Sequence, residues 1–258
     1  GAAPALRGLR LCVSGSAALP AALHAEATAA LGAPVLERYG MTETLMITSN
    51  PTEGERRAGT VGFPLPGVEV RLAPETVDDA ERVGAEGLGE VLVRGPSVFD
   101  GYVGTGRDAT AAFVELGEGE GDGDGDGGGP WFRTGDLGVV ADGRLVIRGR
   151  SKELIISGGY NVHPQEVEDA LAGCPGVAEV AVTGTPSDEW GEVVTAWVVA
   201  DGRAPTLEEL ARFAAGSLAP YKRPRLLRVV DTLPRNAVGK LARGRLRPGD
   251  GTRRGGAR

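Results

Sequence analysis

The run Tyr39-Gly40-Met41-Thr42-Glu43-Thr44 combines groups that can handle a metal-bound polyanion. A glycine at the end of a strand lets backbone approach a ligand closely. A threonine hydroxyl can hydrogen-bond a phosphate oxygen, and a glutamate can hold Mg²⁺. An ordinary strand end has the same composition. Further on, Arg133-Thr134-Gly135-Asp136-Leu137 sets a carboxylate just after a glycine turn. There it can grip ribose hydroxyls, as acids do in other nucleotide folds, or bond its own backbone. Arg150 and Lys152, next to Glu153, read either as a hinge with a functional arginine or as a salt-bridged turn. Gly158-Gly159 can let a thread-like ligand pass the backbone, or close a tight loop. Lys240, presented after Gly239, is either a cation free to reach a substrate or a plain surface lysine.

Elements must position these groups. Leu9 to Val13 reads as a buried strand and Ser14-Gly15-Ser16 as a turn. Pro20 opens an Ala-rich helix to about Leu31, its missing N–H harmless in the first turn. Gly32 stops that helix, and Val35 to Arg38 is a second strand, giving a strand–helix–strand unit of the α/β kind. Residues 45–66, with Pro51, Pro64 and Pro66, read as a loop. Strands are expected near Val68–Leu72 and Glu90–Arg94, and a short helix at Asp108–Phe113. Phe132–Val140 and Arg144–Ile147 form a hairpin across Asp142-Gly143, a strong turn dipeptide. Glu153–Ile156 is short and apolar. Pro164 begins a helix with Gln165, Glu166 and Glu168 at its start, where acids suit the dipole. Val177–Thr183, Val193–Val199 and Leu226–Val230 read as strands. Thr206 with Glu209 three residues on is a capping box. A boundary is expected near Arg150–Glu153.

Composition narrows the class. The chain has 258 residues, 41% of them apolar, enough for a real core. Net charge is −7, and five of the 35 acids sit in the glycine-rich tract 117–129, which cannot bury enough to fold. This balance favours neither nucleic acid nor an anionic membrane as partner. No apolar run approaches the ~20 residues of a membrane span, and no basic-then-apolar signal segment stands at Gly1. Cys12 and Cys174 lie far apart with no metal-ligand spacing, which points to a reducing cytoplasm. With two histidines, His24 and His163, neither a Cys/His zinc site nor a histidine triad is expected. Asp122, Asp124, Asp126 and Gly127 start an EF-hand-like loop, but its twelfth position is Arg133 instead of Glu, so no calcium site is expected. The tail from Ala242, with six arginines and one acid, reads as a solvated, partly disordered end.

Singly these motifs are weak; in this order and spacing they are specific. SGSAALP (14–20), ERYGMTET (37–44), GTVGFPLPGVEV (59–70), WFRTGDL (131–137), GRSKELIISGGYNVHPQEVE (149–168) and LPRNAVGK (233–240) resemble the adenylate-forming (AMP-binding) acyl-CoA synthetase superfamily. The resemblance implies an α/β fold: the C-terminal portion of a large AMP-binding domain over 1–150, a small α+β lid over 151–247, and a disordered tail over 248–258. It implies a ligase that joins a carboxylic acid to AMP from Mg-ATP and then passes the acyl group to CoA. Carried over, Tyr39, Gly40, Thr42, Asp136 and Arg150 would bind nucleotide. Thr42 would touch the phosphates, Glu43 would hold Mg²⁺, and Lys240 would bridge acid and ATP. Lys152 would be the hinge of the lid, and Gly158 and Gly159 would line the path of CoA.

The lysine at the hinge favours a stand-alone CoA ligase over a peptide-synthetase domain. VSGSAALP and ERYGMTET look most like the malonyl-CoA and methylmalonyl-CoA synthetases, where Ser16 and Arg38 would hold the second carboxylate. The fork of Arg38 suits it, though an ion pair is the alternative use. A fatty-acyl or other carboxylate–CoA ligase remains the rival enzyme, and a non-catalytic nucleotide-binding homologue the rival of another class. The superfamily's Ser/Thr/Gly-rich phosphate loop ending in Pro-Lys has no counterpart here. The expectation is therefore a C-terminal half, with an N-terminal half as its missing partner and no implied turnover by the chain alone.

Overall fold

The computed structural model describes residues 8–73, 87–103, 112–115, 129–237, 239–247 and 249, and the backbone of 252–256. Contacts divide the chain into two compact units, Gly1–Ile147 and Arg148–Arg258.

In the first unit β1 (Val13–Ser14) runs parallel to β2 (Leu36–Met41), with α1 (Ala21–Leu31) as the crossover that parallel strands require. Gly32 ends α1 in the left-handed region at φ 76° and donates its N–H to the Thr28 carbonyl at 2.9 Å. β1 is shorter than the apolar run suggests: only Val13 and Ser14 pair, with Leu36 and Glu37. The loop expected over 45–66 is corrected. It contains β3 (Leu45–Ser49), antiparallel to β2, and β4 (Phe63–Pro64), antiparallel to β3. Pro51 and Pro66 fall outside both strands, and Pro64 sits on the sheet edge, where a missing N–H costs no ladder bond.

A second sheet of this unit contains β5 (Glu69–Ala73), β6 (Gly89–Arg94), β7 (Phe113–Val114) and β8 (Trp131–Ala141) in the order β5-β6-β8-β7. β9 (Arg144–Arg150) returns along β8. Their turn is Asp142-Gly143, with φ 52° and 75°, as the dipeptide led us to expect. Ile47 of β3 packs with Val91 and Val93 of β6 and Leu145 of β9, so one core joins both sheets. The helix expected at Asp108–Phe113 and the tract 117–129 lie almost wholly outside the described residues; Phe113 itself is in β7.

The second unit opens with a 3₁₀ turn at Ser151–Glu153 and the hairpin β10 (Ile155–Ser157) and β11 (Tyr160–Val162). Then come α2 (Pro164–Leu171), β12 (Val177–Ser187), β13 (Gly191–Ala200), α3 (Leu207–Ala214) and β14 (Leu226–Val230). The sheet order is β11-β10-β13-β14, with β12 also on β13. The backbone of β15 (Thr252–Gly256), in the tail read as disordered, pairs along β14. Val167 and Leu171 of α2 and Leu210 and Ala214 of α3 bury against Val194, Val198 and Leu227 of the sheet. The Thr206 capping box is present: the Glu209 N–H donates to Thr206 Oγ1 at 3.2 Å and the Thr206 N–H to Glu209 Oε2 at 2.8 Å. No helix among the described residues is long and apolar enough to cross a membrane.

Candidate functional site

Thr42 and Glu43 occupy the turn between β2 and β3. The turn is tight: the Thr44 N–H donates to the Met41 carbonyl at 3.2 Å. Leu45, 65% exposed, is held left-handed at φ 54°, a strained choice for an apolar residue. Gly40 answers to the same crowding. A Cβ there would stand 2.0 Å from the Leu45 carbonyl oxygen, so no other residue fits where β2 and β3 cross. Thr42 is exposed and Glu43 half-buried. Glu43 Oε1 accepts from Tyr102 Oη at 2.9 Å, and its carbonyl accepts from the Phe99 N–H at 2.8 Å. The Tyr102 and Phe99 rings pack edge-on at 4.8 Å. The Glu43 carboxylate is thus held on one oxygen by Tyr102.

Asp136 lies buried in β8. Tyr39 Oη donates to Asp136 Oδ2 at 2.6 Å, joining two candidate nucleotide-binding residues 97 positions apart. The turn that carries Ser16 reaches Arg38 through Gly15. β1 pairs with β2 up to Ser14 and Glu37, so the Ser14-Gly15-Ser16 turn leaves the sheet beside Arg38. A Cβ on Gly15 would lie 3.4 Å from Arg38 Cγ. Ser16 is left-handed at φ 71°, and both Ser16 and Arg38 are exposed. This turn follows the carboxyl end of a parallel strand, where ligands of α/β sheets bind. The adjacent Glu37 is buried and accepts the Gly59 N–H at 2.9 Å. Burial pushes its carboxyl above the usual range, against the opposing pull of that N–H and of His24.

The other candidates belong to the second unit. Arg150 ends β9, half-buried, and Lys152 is exposed in the 3₁₀ turn. Gly158 and Gly159 form the tip of the β10–β11 hairpin. Gly158 donates to the Trp190 carbonyl at 2.9 Å, and a Cβ on it would meet the indole at 2.8 Å. Lys240 is exposed at the end of a closed loop. Its N–H donates to Asn236 Oδ1 at 2.9 Å, and its carbonyl accepts from the Asn236 N–H at 2.8 Å. Three residues on, the Arg243 guanidinium donates to Glu168 and, at 2.8 Å, to Glu153.

Tyr102, Glu90 and Arg243 had not been singled out in the sequence. Glu90 was visible there only as an acid inside an otherwise apolar strand run. Among the described residues no group of three or more His, Cys, Asp or Glu could hold a metal by itself. Mg²⁺ brought by a nucleotide needs only one or two carboxylates, because it keeps waters and phosphate oxygens as its other ligands. Glu43, half-buried with one oxygen engaged by Tyr102, fits that smaller demand.

Comparison with known proteins gives the family. A profile of the AMP-binding enzyme family matches residues 1–103, and one of its C-terminal domain matches residues 166–240. The malonate–CoA ligase of Arabidopsis thaliana is 41% identical over 92% of this chain and 38% of its own length. The mitochondrial malonate–CoA ligase of Mus musculus is 42% identical over 90% of this chain and 41% of its own. The chain therefore spans about two fifths of the length of these relatives. ATP-bound MatB from Rhodopseudomonas palustris superposes with a TM-score of 0.77 at 41% identity, covering 91% of this chain and 44% of that one. The cytoplasm expected from the cysteines is overturned: the mouse relative and three further vertebrate relatives are mitochondrial by name. Distant unpaired cysteines report reduced thiols and do not name the compartment that keeps them reduced. One profile falls on each side of the division between the units, in the order the motifs dictate, and the chain belongs to the AMP-binding enzyme family.

Proposed function

We propose that this chain supplies the nucleotide, acid and CoA contacts of an acid–CoA ligase that adenylates malonate or methylmalonate and transfers the acyl group to CoA. The observation that carries the reading is the 2.6 Å hydrogen bond from Tyr39 to Asp136, which joins the two motifs read as nucleotide-binding. Support also comes from malonate–CoA ligases among the relatives. In this reading the first unit is the C-terminal portion of the AMP-binding domain and the second its lid.

Asp136, assisted by Arg150, holds the ribose hydroxyls, and Tyr39 and Gly40 flank the nucleotide. Thr42 donates to the phosphates. Glu43 is the residue that would hold Mg²⁺, which offsets phosphate charge when bound. The chemistry requires a carboxylate to approach a polyanion. Unit charges 4 Å apart repel by about 1 kcal/mol in bulk water and several-fold more in a dry site. Lys240 places a cation where that charge develops. Ser16 and Arg38 bind the second carboxylate of the acid. Lys152 is the hinge, and Gly158 and Gly159 flank the CoA thiol arm.

The test is malonate-dependent exchange of pyrophosphate into ATP, by the chain alone and mixed with the preceding half of a malonate–CoA ligase relative. Exchange in either setting, with malonate preferred over long-chain monocarboxylates, supports the reading. Exchange driven by monocarboxylates instead makes it another carboxylate–CoA ligase. AMP binding without exchange in both settings makes it a nucleotide-binding module.

A further inference from the structure

We propose that Glu90 is a positioning residue that sets Asp136 for the ribose; the proposal rests on the nucleotide reading above. The ladder between β6 and β8 jumps at this point. Glu90 opposes Leu137, but Leu92 opposes Arg133, so Thr134, Gly135 and Asp136 together face the single residue Val91. Such a bulge re-aims side chains and leaves backbone groups without a strand partner. Buried N–H groups do not stay unpaired.

Glu90 supplies the missing partner. Its Oε1 accepts the Gly135 N–H at 3.1 Å, and its Oε2 accepts from Arg133 Nε at 2.9 Å and from the same guanidinium's terminal nitrogen. Thr134 secures the bulge through its Oγ1, which donates to the Val91 carbonyl at 2.8 Å and accepts the Asp136 N–H at 3.0 Å. The bulge is thus stapled to two successive residues of β6, Glu90 and Val91. Glu90 is 6% exposed and sits among the buried residues Val91, Leu92 and Val93. A carboxylate in that strand costs stability unless paired, and its oxygens are used on Gly135 and Arg133, in the stretch just before Asp136. Its place in the fold is therefore explained by the turn that presents Asp136 to Tyr39.

The test reads geometry and binding separately on the full chain. Geometry is the hydrogen-exchange protection of the Gly135 amide, with the Val93 amide as reference. Binding is the preference for AMP over 2′,3′-dideoxy-AMP, with Asp136→Asn as the benchmark. In Glu90→Ala the Gly135 amide should exchange roughly tenfold faster or more, as loss of a bond to a charged acceptor implies. The ribose preference should fall to that of Asp136→Asn. Glu90→Gln keeps an acceptor but turns an NH₂ toward Arg133. It should lose part of the protection, and Glu90→Gln combined with Arg133→Met should regain it. If Glu90→Ala does not fold, the Gln pair decides. Unchanged Gly135 protection in the Glu90 variants, or a double variant worse than Glu90→Gln, overturns the proposal. If Asp136→Asn itself keeps the full ribose preference, the ribose role and the nucleotide reading fall together, and the amide alone judges whether Glu90 holds the bulge.

Discussion

At the scale of single residues, Arg38 and Glu37 are adjacent in sequence and opposite in environment. Arg38 is exposed with its stem against Gly15; Glu37 is buried against Gly59. If Arg38 grips the second carboxylate of malonate, Arg38→Leu should lower kcat/KM for malonate by roughly 10- to 100-fold, the worth of a charge-assisted pair. Monocarboxylates should be spared or improved, and unchanged malonate kinetics would sink the assignment. Glu37 makes a prediction about pH. Burial holds its carboxyl above the usual range, so the native state keeps this proton to higher pH than the unfolded chain does. Native protein then binds more protons in that window, and this contribution to stability falls as pH rises through it. Glu37→Gln removes the titration and can still accept the Gly59 N–H. Urea unfolding should therefore show the variant gaining on the parent from about pH 4 to pH 7. Parallel profiles would refute this.

At the scale of elements, the useful contrast is between local and non-local devices. The Asp142-Gly143 hairpin and the Thr206 capping box are written in neighbouring residues, so their sequence signals translate directly into structure. The β8 bulge and the Arg243 clamp are not. Arg243 links residues 75 and 90 positions away, Glu168 on α2 and Glu153 in the 3₁₀ turn beside Lys152, and it lies three residues beyond Lys240. Arg243 and Glu168 are both largely buried, at 16% and 9% side-chain exposure. Removing one partner strands the other. Arg243→Met should cost about 3–5 kcal/mol in urea unfolding near neutral pH. Burial already raises the Glu168 carboxyl, with Arg243 opposing the rise. Without that cation the carboxyl rises further, and protonation relieves the cost, so the loss should shrink in acid. A loss under about 1 kcal/mol at pH 7 would mean the clamp behaves like an exposed ion pair.

At the scale of the whole molecule, the candidate residues divide between the two units. The candidates for phosphate and acid, with Tyr39, Gly40 and Asp136 for the nucleotide, fall in the first, while Arg150, Lys152, Lys240 and the glycine pair fall in the second. A reaction in two steps can use such a division by drawing on the second unit's residues at different times. Once malonate-dependent turnover is established, Lys240→Ala should reduce acyl-AMP formation by a factor equivalent to about 3–4 kcal/mol, comparable to losing one preorganised donor. Thioester formation from supplied acyl-AMP should be spared. Equal loss in both half-reactions would count against a lysine used in one step only.

What the sequence determined by itself was whatever depends on neighbours in the chain. That covers the strand–helix–strand start, the hairpin and the cap, and the order of motifs that identifies the family. It also covers the residue types able to meet phosphate, ribose and carboxylate. It misread 45–66 as a loop, because prolines mark a broken ladder only when they stand inside it; here they flank β3 or lie on an edge. It named Tyr39 and Asp136 but not their hydrogen bond, and it gave Glu90, Tyr102 and Arg243 no role. Each of these depends on which distant strand lies alongside. β3, β6 and β9 bury Ile47, Val91, Val93 and Leu145 in one shared apolar core, with Tyr39 of β2 packed against it. Only after that core is closed do the polar groups at the strand ends find the partners that aim them.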